Sequence, residues 1–490
     1  MALLVPLAGL ITTVASGLDA RADSRPPPQT PQTLPSPPTP QAKPGGDTTV
    51  AATGRQAFSL PAANLDAEAL AGFASGSLLF RRDWLPAPAV GVAPSAVGLG
   101  LGPYFNERSC SACHTLDGRG APHAAGDLNR RLITTQPFAL VFRLAMPGPD
   151  GTTRPDPVYG SQFSNAAVAG AQPEGQVHIR YTEKPGRFAD GTAYSLRQPR
   201  YHFTQLSHGP MQRQTVVSPR IAPHLPGVGL LDAISQGDLE QNARDQLRRP
   251  DTIKGVVSQV IDPFAGQVAG RFGWKASTGS LQHQTASALH ADMGITSEHF
   301  AREDCTARQR DCVPVQTGRA SAAGVDIDND TLGQIVTYQA TLAVPARRGM
   351  DDLDVRRGEA LFTQAHCSVC HRPAYTTAKG YGPALSRQRI YPYTDLLLHD
   401  MGQALADTDW RGRPPASGTH QASLWRTPPL WGIGLIPAVN GHPFLLHDGR
   451  ARGTLEAILW HGGEAEGSRQ KVLAMNRNER EALVRFVNSL

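Results

Sequence analysis

Two five-residue motifs of the form CxxCH constrain this chain more than any other feature of its sequence. Two cysteines three positions apart lie on the same side of one helical turn, and the histidine that follows can then turn its imidazole towards a bound metal. This pattern is the attachment signature of a c-type haem, in which both thiols bond to the porphyrin edge and the histidine becomes the proximal iron ligand. The two motifs consist of Cys110, Cys113 and His114, and of Cys367, Cys370 and His371.

A CxxC pair also occurs in zinc sites and in thiol–disulfide redox motifs. One copy would leave both of those interpretations open. Two complete and well separated copies, each followed by a histidine and flanked by helix-like sequence, favour haem attachment. We therefore expect two covalently bound c-type haems, with His114 and His371 as iron ligands.

Length and charge limit the classes of protein to consider. A chain of 490 residues is too long for one hydrophobic core and suggests two or three domains. Charged residues make up only 18% of the chain, and the 49 glycines and 41 prolines indicate long ordered loops. The net charge of +5 is spread without basic runs, which argues against nucleic-acid binding.

The first 22 residues are predicted to be a signal peptide. Residues 2–18 are almost wholly apolar or small, and Ala20-Arg21-Ala22 matches an A-x-A cleavage pattern. The segment lacks basic residues at its start, so an uncleaved helix retained in the membrane is the alternative, although the apolar run is short for a full span. The sequence therefore predicts export to the periplasm, with membrane contact only through an uncleaved N-terminus.

The rest of the chain is predicted to form a linker and two folded domains. Residues 23–57 are rich in proline and polar residues and read as a disordered linker. Residues 58–346 form an N-terminal haem domain, enlarged by a β-containing insertion at about 125–260, where short alternating runs are separated by turns. Residues 351–490 form a C-terminal domain with a helix before CxxCH and an amphipathic helix at the end. The predicted fold class is mainly α, with two cytochrome c-like haem domains.

The two remaining cysteines, Cys305 and Cys312, lie in a polar stretch. In an exported protein they are expected to form a local disulfide that closes a short loop. Two free thiols would be expected in the cytoplasm, and a redox-active dithiol is the third alternative.

Segments outside the CxxCH motifs resemble one protein family over nearly all of residues 58–490. This is the di-haem oxidoreductase family, often called thiol oxidoreductases, which is related to bacterial di-haem cytochrome c peroxidases and to MauG. The segments that carry the resemblance are FNERSCSACHTLDGRG at 105–120, GVGLL at 227–231, GRFGWKA at 270–276, DMGITS at 292–297, LAVP at 342–345, PYTDLLLHDMG at 392–402, WRTPPLWGIG at 425–434, LHDGRAR at 446–452 and HGGE at 461–464.

The relatives suggest roles for three residues between the motifs. The peroxidases place a tryptophan between their haems, and Trp274 matches it; an ordinary core aromatic is the alternative. The alignment continues through Gln284, a further catalytic candidate, to a Glu-Met pair that is Asp292-Met293 here. The peroxidase glutamate moves a proton while the O–O bond breaks, and a carboxylate such as Asp292 suits that task. Asp292 is one methylene shorter, and a loop or N-cap aspartate is the alternative.

The resemblance also suggests how each iron is ligated on its second side. The peroxidases place a methionine after their His-Asp-Gly segment, and the matching residue is His461, which shares a helical face with Ala457 and Ile458. Met401 is the rival ligand, because thioether ligation is common in cytochromes c. A purely structural histidine is the third alternative for His461. No residue matches a distal ligand of the first haem, so that iron is predicted to be open and reactive.

Taken together, these features predict a periplasmic, peroxidase-like oxidoreductase. Electrons would enter at the C-terminal haem from a small redox protein, either a cytochrome c or a cupredoxin. They would pass Trp274 and reduce hydrogen peroxide or another small oxidant at the N-terminal haem. MauG-like oxidation of a partner protein and non-catalytic electron transfer are the alternatives. A structural calcium ion is compatible with the resemblance, but no residue pattern predicts its site.

Overall fold

A computed structural model describes residues 40–86, 99–123, 132–133, 139–148, 152–312, 324–413 and 420–490. These residues belong to one compact unit, Thr39–Leu490. The predicted signal peptide, residues 1–22, and the first part of the predicted linker lie outside the described residues. In the described part of the chain, no helix has both the length and the apolar character needed to cross a membrane.

The helices are mostly short, and the longer ones begin at polar capping residues. Asp66 accepts a hydrogen bond from the backbone amide of Ala69 (2.8 Å), and Asn476 forms a capping box with Glu479. In chain order the α-helices are Ala67–Arg81 (α1), Cys110–Cys113 (α2), Val228–Asp232 (α3), Gln236–Leu247 (α4), Leu281–Met293 (α5), Asn329–Ala340 (α6), Leu353–Gln364 (α7), Ile436–Asn440 (α8), Thr454–Leu459 (α9), Glu466–Ala474 (α10) and Arg477–Ser489 (α11). Short 3₁₀ turns span Pro40–Ala42, Gly46–Thr48, Thr115–Asp117, Cys367–Val369, Pro383–Leu385, His420–Ala422, Ile433–Leu435 and Gly463–Ala465.

The strands form several small sheets rather than one large one. In chain order they are Leu85–Pro86 (β1), Leu99–Leu101 (β2), Tyr104–Phe105 (β3), Leu132–Ile133 (β4), Leu140–Pro147 (β5), Thr153–Arg154 (β6), Gln162–Phe163 (β7), Ala166–Ala167 (β8), Gln176–Arg187 (β9), Ala193–Thr204 (β10), Val216–Ile221 (β11), Gln259–Asp262 (β12), Gly266–Ala269 (β13), Tyr375–Thr376 (β14), Arg389–Ile390 (β15), Leu398–Asp400 (β16), Thr408–Asp409 (β17) and Leu424–Arg426 (β18). The largest sheet has the order β17-β11-β5-β6, and β7 also pairs with β5. Strands β9 and β10 form a long antiparallel hairpin, to which β4 adds.

The prediction of a mainly α fold was wrong. Helices account for 32% and strands for 21% of the structure, so the fold mixes the two classes. Strands also occur outside the predicted insertion at 125–260, for example β16 and β18, which pair with each other. Many of these strands have only two or three residues, which is too short for the alternation of apolar and polar side chains to be recognised in a sequence.

Two pairs of crossing helices, α1 with α6 and α7 with α11, organise the segments around the CxxCH motifs. The first helix of each pair precedes a motif, and the second closes that half of the chain. A glycine lies at each crossing: a Cβ atom at Gly76 would clash with the carbonyl oxygen of Gln334, and one at Gly358 with that of Ala482. The helices approach so closely that neither position accepts a larger side chain unless the backbone moves.

Four residues after each glycine, a phenylalanine packs near the histidine of the following motif. The ring centroids of Phe80 and His114 are 6.3 Å apart, and those of Phe362 and His371 are 6.2 Å apart. The interplanar angles, 51° and 53°, also agree. The phenylalanine therefore supports the imidazole in the same way in both halves.

The second helix of each pair adds another aromatic ring to this packing. Tyr338 on α6 lies 5.2 Å from Phe80, and Phe486 on α11 lies 5.1 Å from Phe362, measured between ring centroids. Such aromatic pairs stabilise a helix crossing beyond their buried area. The two halves of the chain thus repeat one local scaffold.

Residues 40–57 pack against the folded part, whereas the sequence predicted a linker there. Val50 forms a β-bridge with Pro345, and the Ala346 amide donates to the Val50 carbonyl (2.9 Å). The Thr48 hydroxyl is fully buried and donates to the carbonyl of Gly45 (2.8 Å). These backbone pairings use few apolar side chains, so composition alone does not reveal them.

Candidate functional site

The N-terminal CxxCH motif begins at Cys110 on the one-turn helix α2 and ends at His114. The Nδ1 atom of His114 lies 2.8 Å from the carbonyl oxygen of Pro223. Because a carbonyl oxygen only accepts, Nδ1 carries the proton and Nε2 keeps its lone pair. Burial lowers the pKa of His114, which favours the neutral ring. This arrangement is the one expected of a metal-binding histidine whose orientation is held by a backbone carbonyl.

The C-terminal motif repeats this arrangement on the 3₁₀ turn Cys367–Val369. The Nδ1 atom of His371 donates to the carbonyl oxygen of Tyr393 (3.0 Å), which again leaves the lone pair of Nε2 free. Burial lowers the pKa of His371 to about 4, so the ring is neutral at physiological pH. Both histidines are therefore ready to bind a metal through Nε2.

The four motif cysteines are poor candidates for thiol–disulfide chemistry. Burial raises the pKa of Cys110 to about 12, and it does the same for Cys367. Reactive CxxC pairs have lowered thiol pKa values instead. A zinc site is also disfavoured: among the described residues one group of three neighbouring potential ligands is found, Cys370 with Asp395 and His399, and it contains one thiol.

The N-terminal motif opens into a cavity of about 400 Å³. Gln284 and Asp292 on α5 and the indole of Trp274 line this cavity together with the motif. The structure thus brings the three catalytic candidates, which are far from the motif in sequence, to the same cavity. Other residues that line it include Glu107, Arg143, Ser161, Arg220, Phe272, Leu281 and Met293.

Asp292 lies near the carboxyl end of α5, so the N-cap alternative does not apply; Ser280 caps that helix. Its Oδ1 atom accepts a hydrogen bond from Nε2 of Gln162 (2.9 Å) and lies 3.6 Å from Nη2 of Arg143. About a third of the side chain remains exposed, with a relative accessibility of 31%. One carboxylate oxygen is therefore held in place, while Oδ2 has no hydrogen-bond partner among the described residues.

Gln284 lies about two turns before Asp292 on α5. One hydrogen bond fixes the orientation of its side-chain amide. The hydroxyl of Thr278 donates to the amide oxygen Oε1 of Gln284 (2.9 Å). The amide NH₂ group is then left to donate to a molecule in the cavity. Gln284 can therefore orient a small polar ligand.

The C-terminal motif opens into a smaller cavity of about 170 Å³, which His461 and Met401 also line. His461 follows helix α9, and its Nδ1 atom donates to the carbonyl of Ala457 (2.8 Å). Burial lowers the pKa of His461, so the neutral ring offers Nε2 in the same way as His371 does. The structure therefore brings both candidate ligands, His461 and Met401, to this cavity. In His461 the proton is held on Nδ1, so Nε2 is the atom that can bind a metal.

Trp274 lies between the two cavities and borders both of them. Its Nε1 atom donates to the carbonyl of Ile221 (2.9 Å), and the guanidinium of Arg119 lies 5.3 Å from the centre of its ring. The side chain is 7% exposed, so the ring is held on all sides. The residues that border both cavities are Arg119, His224, Trp274, Arg426, Pro428 and Pro429.

Two of these shared residues are buried arginines without a carboxylate partner among the described residues. Arg119 donates to the carbonyls of Phe444 and Leu446, and Arg426 to those of Gly273 and Thr427. Burial lowers the pKa of each to about 10, so both remain cationic at neutral pH. Buried cations of this kind fit the carboxylate groups of a haem, and together with the two neutral histidines they match what this cofactor requires.

A third buried ionic group, His399 between Asp395 and Glu464, lies beside the C-terminal motif. Its Nε2 and Nδ1 atoms lie 2.9 Å and 2.7 Å from the two carboxylates. Burial lowers the pKa of His399 and is the largest single effect, but the Asp395 carboxylate and the Cys370 sulfur together outweigh burial and raise this pKa well above its usual value. His399 therefore carries a positive charge 3.7 Å from the sulfur of Cys370.

Sequence reasoning missed Gln162, Arg143, Arg220 and His399. The two arginines each interrupt an apolar strand, and a charge inside such a run is a signal that could have identified them. Gln162 gave no signal, because it reaches Asp292 from a distant strand. The sulfur atoms of Cys305 and Cys312 form a disulfide in the structure.

Comparison with known proteins gives the family. Residues 39–490 match the family described as "Di-haem oxidoreductase, putative peroxidase". The chain belongs to this di-haem oxidoreductase family, as the sequence predicted.

Among curated proteins, none matches the chain. Among solved structures, hydrazine synthase from Kuenenia stuttgartiensis matches with 16% identity and a TM-score of 0.24 over 37% of this chain. The match spans 63% of that protein's chain, which is less than two thirds of its length. A similarity of this size is too low to indicate the fold or the function of the present chain.

Proposed function

We propose that this protein is an exported di-haem oxidoreductase of peroxidase type that reduces hydrogen peroxide in the N-terminal cavity. The observation that carries the proposal is the convergence of Asp292, Gln284 and Trp274 on the cavity of His114. Both CxxCH motifs bind haem covalently in this proposal, so the chain carries two c-type haems. Each haem, when bound, supplies an iron that accepts and passes on single electrons.

Asp292 is the acid and base of this reaction. Its Oδ1 atom is held by Gln162 and faces Arg143, which leaves Oδ2 to take a proton from one peroxide oxygen and deliver it to the other. Gln284 orients the peroxide through its free amide NH₂ group. Reduction of one peroxide to two water molecules consumes two electrons and two protons.

The electrons enter at the C-terminal half and pass Trp274. Trp274 borders both cavities, so its indole shortens the path between the two halves. His461 would be the preferred second iron ligand in the C-terminal cavity, since its Nδ1 proton is fixed by a carbonyl as in the two motif histidines. Met401 is the rival. Ligation of the iron by both His371 and His461 would suit electron transfer better than catalysis.

The protein acts in the periplasm in this proposal, and its electron donor is a small redox protein such as a cytochrome c or a cupredoxin. The Cys305–Cys312 disulfide supports an oxidising compartment. The mixed surface charge without basic runs is consistent with a protein partner rather than a nucleic acid.

The test is peroxide turnover by the purified holoprotein and by the Asp292→Asn variant. The amide cannot transfer the proton, so the rate of peroxide reduction should fall about 100-fold or more. Asp330→Asn removes an exposed carboxylate from the first turn of α6 and should leave the rate unchanged. Haem content and absorbance spectra of all three proteins are recorded in parallel.

Two results would contradict the proposal. The first is full turnover by Asp292→Asn with both haems in place, because another residue would then move the proton. The second is a wild-type protein whose low-temperature paramagnetic resonance spectrum has no high-spin iron and whose absorbance does not respond to peroxide. That result would indicate a non-catalytic electron carrier.

A further inference from the structure

One wall of the N-terminal cavity is the face of the paired strands β5 and β11. Ser218 is opposite Arg143 and Arg220 is opposite Val141, so the two arginines are diagonal neighbours on the same face. The other face of β5, with Phe142, packs into the apolar core. Two guanidinium groups therefore point from an otherwise apolar sheet into the cavity.

The protein balances the positive charge of these two arginines only in part. Arg220 makes one side-chain hydrogen bond, from Nε to the hydroxyl of Ser218 (3.3 Å), and has no carboxylate within ion-pair distance among the described residues. Arg143 faces Asp292 at 3.6 Å, without a hydrogen bond among the described residues. Asp292 offsets one of the two arginines, and Asp407, whose charge also acts on Arg220, is itself paired with Lys275 (3.0 Å). An excess of one positive charge therefore remains on this wall. Like charges at neighbouring positions of a sheet destabilise it unless an anion lies between them.

We propose that Arg143 and Arg220 form a binding site for a small, singly charged oxyanion in the N-terminal cavity. The inference rests on the proposed function in one respect, since it takes this cavity to be the one open to small molecules. The excess charge selects a monoanion, and the planar guanidinium groups suit an oxygen-bearing ligand that accepts several hydrogen bonds. The anion competes with peroxide, because Asp292 borders the same wall.

The strongest rival explanation is that Arg220 binds a carboxylate of the cofactor. Arg119 and Arg426, which border both cavities and have no carboxylate partner among the described residues, already fit that role. Arg143 and Arg220 instead lie beside Asp292, the group assigned to the substrate. The two explanations predict different behaviour towards an added anion.

The experiment measures nitrite binding to the oxidised holoprotein by calorimetry. The Arg220→Gln and Arg143→Gln variants should each bind nitrite about tenfold more weakly or worse, because each loses a charge-assisted hydrogen bond. Arg220→Lys keeps the charge and should retain more of the affinity than Arg220→Gln. Arg180→Gln, an exposed change on β9, lowers the net charge equally and should bind nitrite like the wild type. Haem content is checked by pyridine haemochrome assay.

Carbon monoxide binding to the reduced protein separates this inference from the proposed function. Carbon monoxide is neutral, so its affinity should not change in Arg220→Gln. Wild-type protein that binds carbon monoxide but not nitrite would overturn the anion site and leave the proposed function intact. Protein that binds nitrite through the arginines but never binds carbon monoxide would support the anion site and contradict an open iron. Equal nitrite affinity in wild type and both glutamine variants would overturn the inference and favour the cofactor-carboxylate role.

Discussion

The two halves of this protein share a scaffold and differ in the walls of their cavities. In each half a helix crosses a partner at a glycine, a phenylalanine packs near the motif histidine, and a backbone carbonyl fixes that histidine. The histidine Nε2 atom is available in both. The motif and its support therefore determine that a haem can be held, but not what its iron does.

The difference between the cavities comes from residues outside the motifs. The N-terminal cavity is larger and contains Arg143, Arg220 and Asp292, which can bind anions and move protons. The C-terminal cavity is smaller, and a second neutral histidine, His461, lines it with His371. A cavity that supplies a second ligand favours electron transfer, whereas one that supplies charged groups and space favours chemistry on a small substrate.

The largest effect should follow from removing a thioether attachment. Changing both Cys110 and Cys113 to Ala should abolish covalent haem binding in the N-terminal half, and changing both Cys367 and Cys370 to Ala should do so in the C-terminal half, so each double variant keeps one of two haems. Pyridine haemochrome assay and intact mass give the number of haems per chain. Cys305→Ala, which breaks the disulfide, is the control and should keep both haems. Wild-type protein with fewer than two haems would invalidate the comparison of the halves.

The ligation of the C-terminal iron should respond to His461 and not to Met401. His461→Ala should convert that iron from low spin to high spin, because Nε2 of His461 is lost, while Met401→Ala should leave it low spin. Low-temperature paramagnetic resonance of the oxidised protein measures the spin state. The reverse pattern would make the thioether the ligand, and the C-terminal centre would then resemble that of His/Met cytochromes.

The helix crossings should be equally sensitive in the two halves. Gly76→Ala and Gly358→Ala each force a Cβ against a backbone carbonyl and should lower the free energy of unfolding by about 1–3 kcal/mol. Gly333→Ala on α6 and Gly467→Ala on α10 meet no neighbour and are the matched controls; they should be neutral or slightly stabilising. Thermal and denaturant unfolding of the holoprotein measures the change. A large loss in one half alone would show that the scaffold is not equivalent.

The smallest effect is a pH dependence from Lys275, which follows Trp274 between the cavities. Burial lowers the pKa of Lys275 to about 8, although Asp407 lies 3.0 Å away. Between about pH 8 and the usual value of 10.5 the unfolded chain binds the proton and the native protein does not. Stability should therefore rise with pH across this window, by up to about 1 kcal/mol per pH unit. Lys275→Met should remove this slope in denaturant unfolding; an unchanged slope would assign it to another group.

Local features of the chain made part of the site predictable. Cys110 and His114, or Cys367 and His371, are neighbours in sequence, so their chemistry can be recognised before any fold is known. The family resemblance extended this to Trp274 and Asp292, which the structure brings to the same cavity. The prediction of a mainly α fold class was wrong for the opposite reason. Strands of two or three residues are too short to show the alternation of apolar and polar side chains that identifies a strand in a sequence.

The sequence by itself determined that two CxxCH motifs exist and which histidine belongs to each. Only the tertiary structure decided how the cavities differ. Arg143 and Arg220 become neighbours through the register of β5 and β11, and His461 reaches the cavity of His371 through the packing of the C-terminal helices. Contacts between residues far apart in the chain depend on the whole fold, because strand register and helix packing are set by the complete core rather than by local propensity.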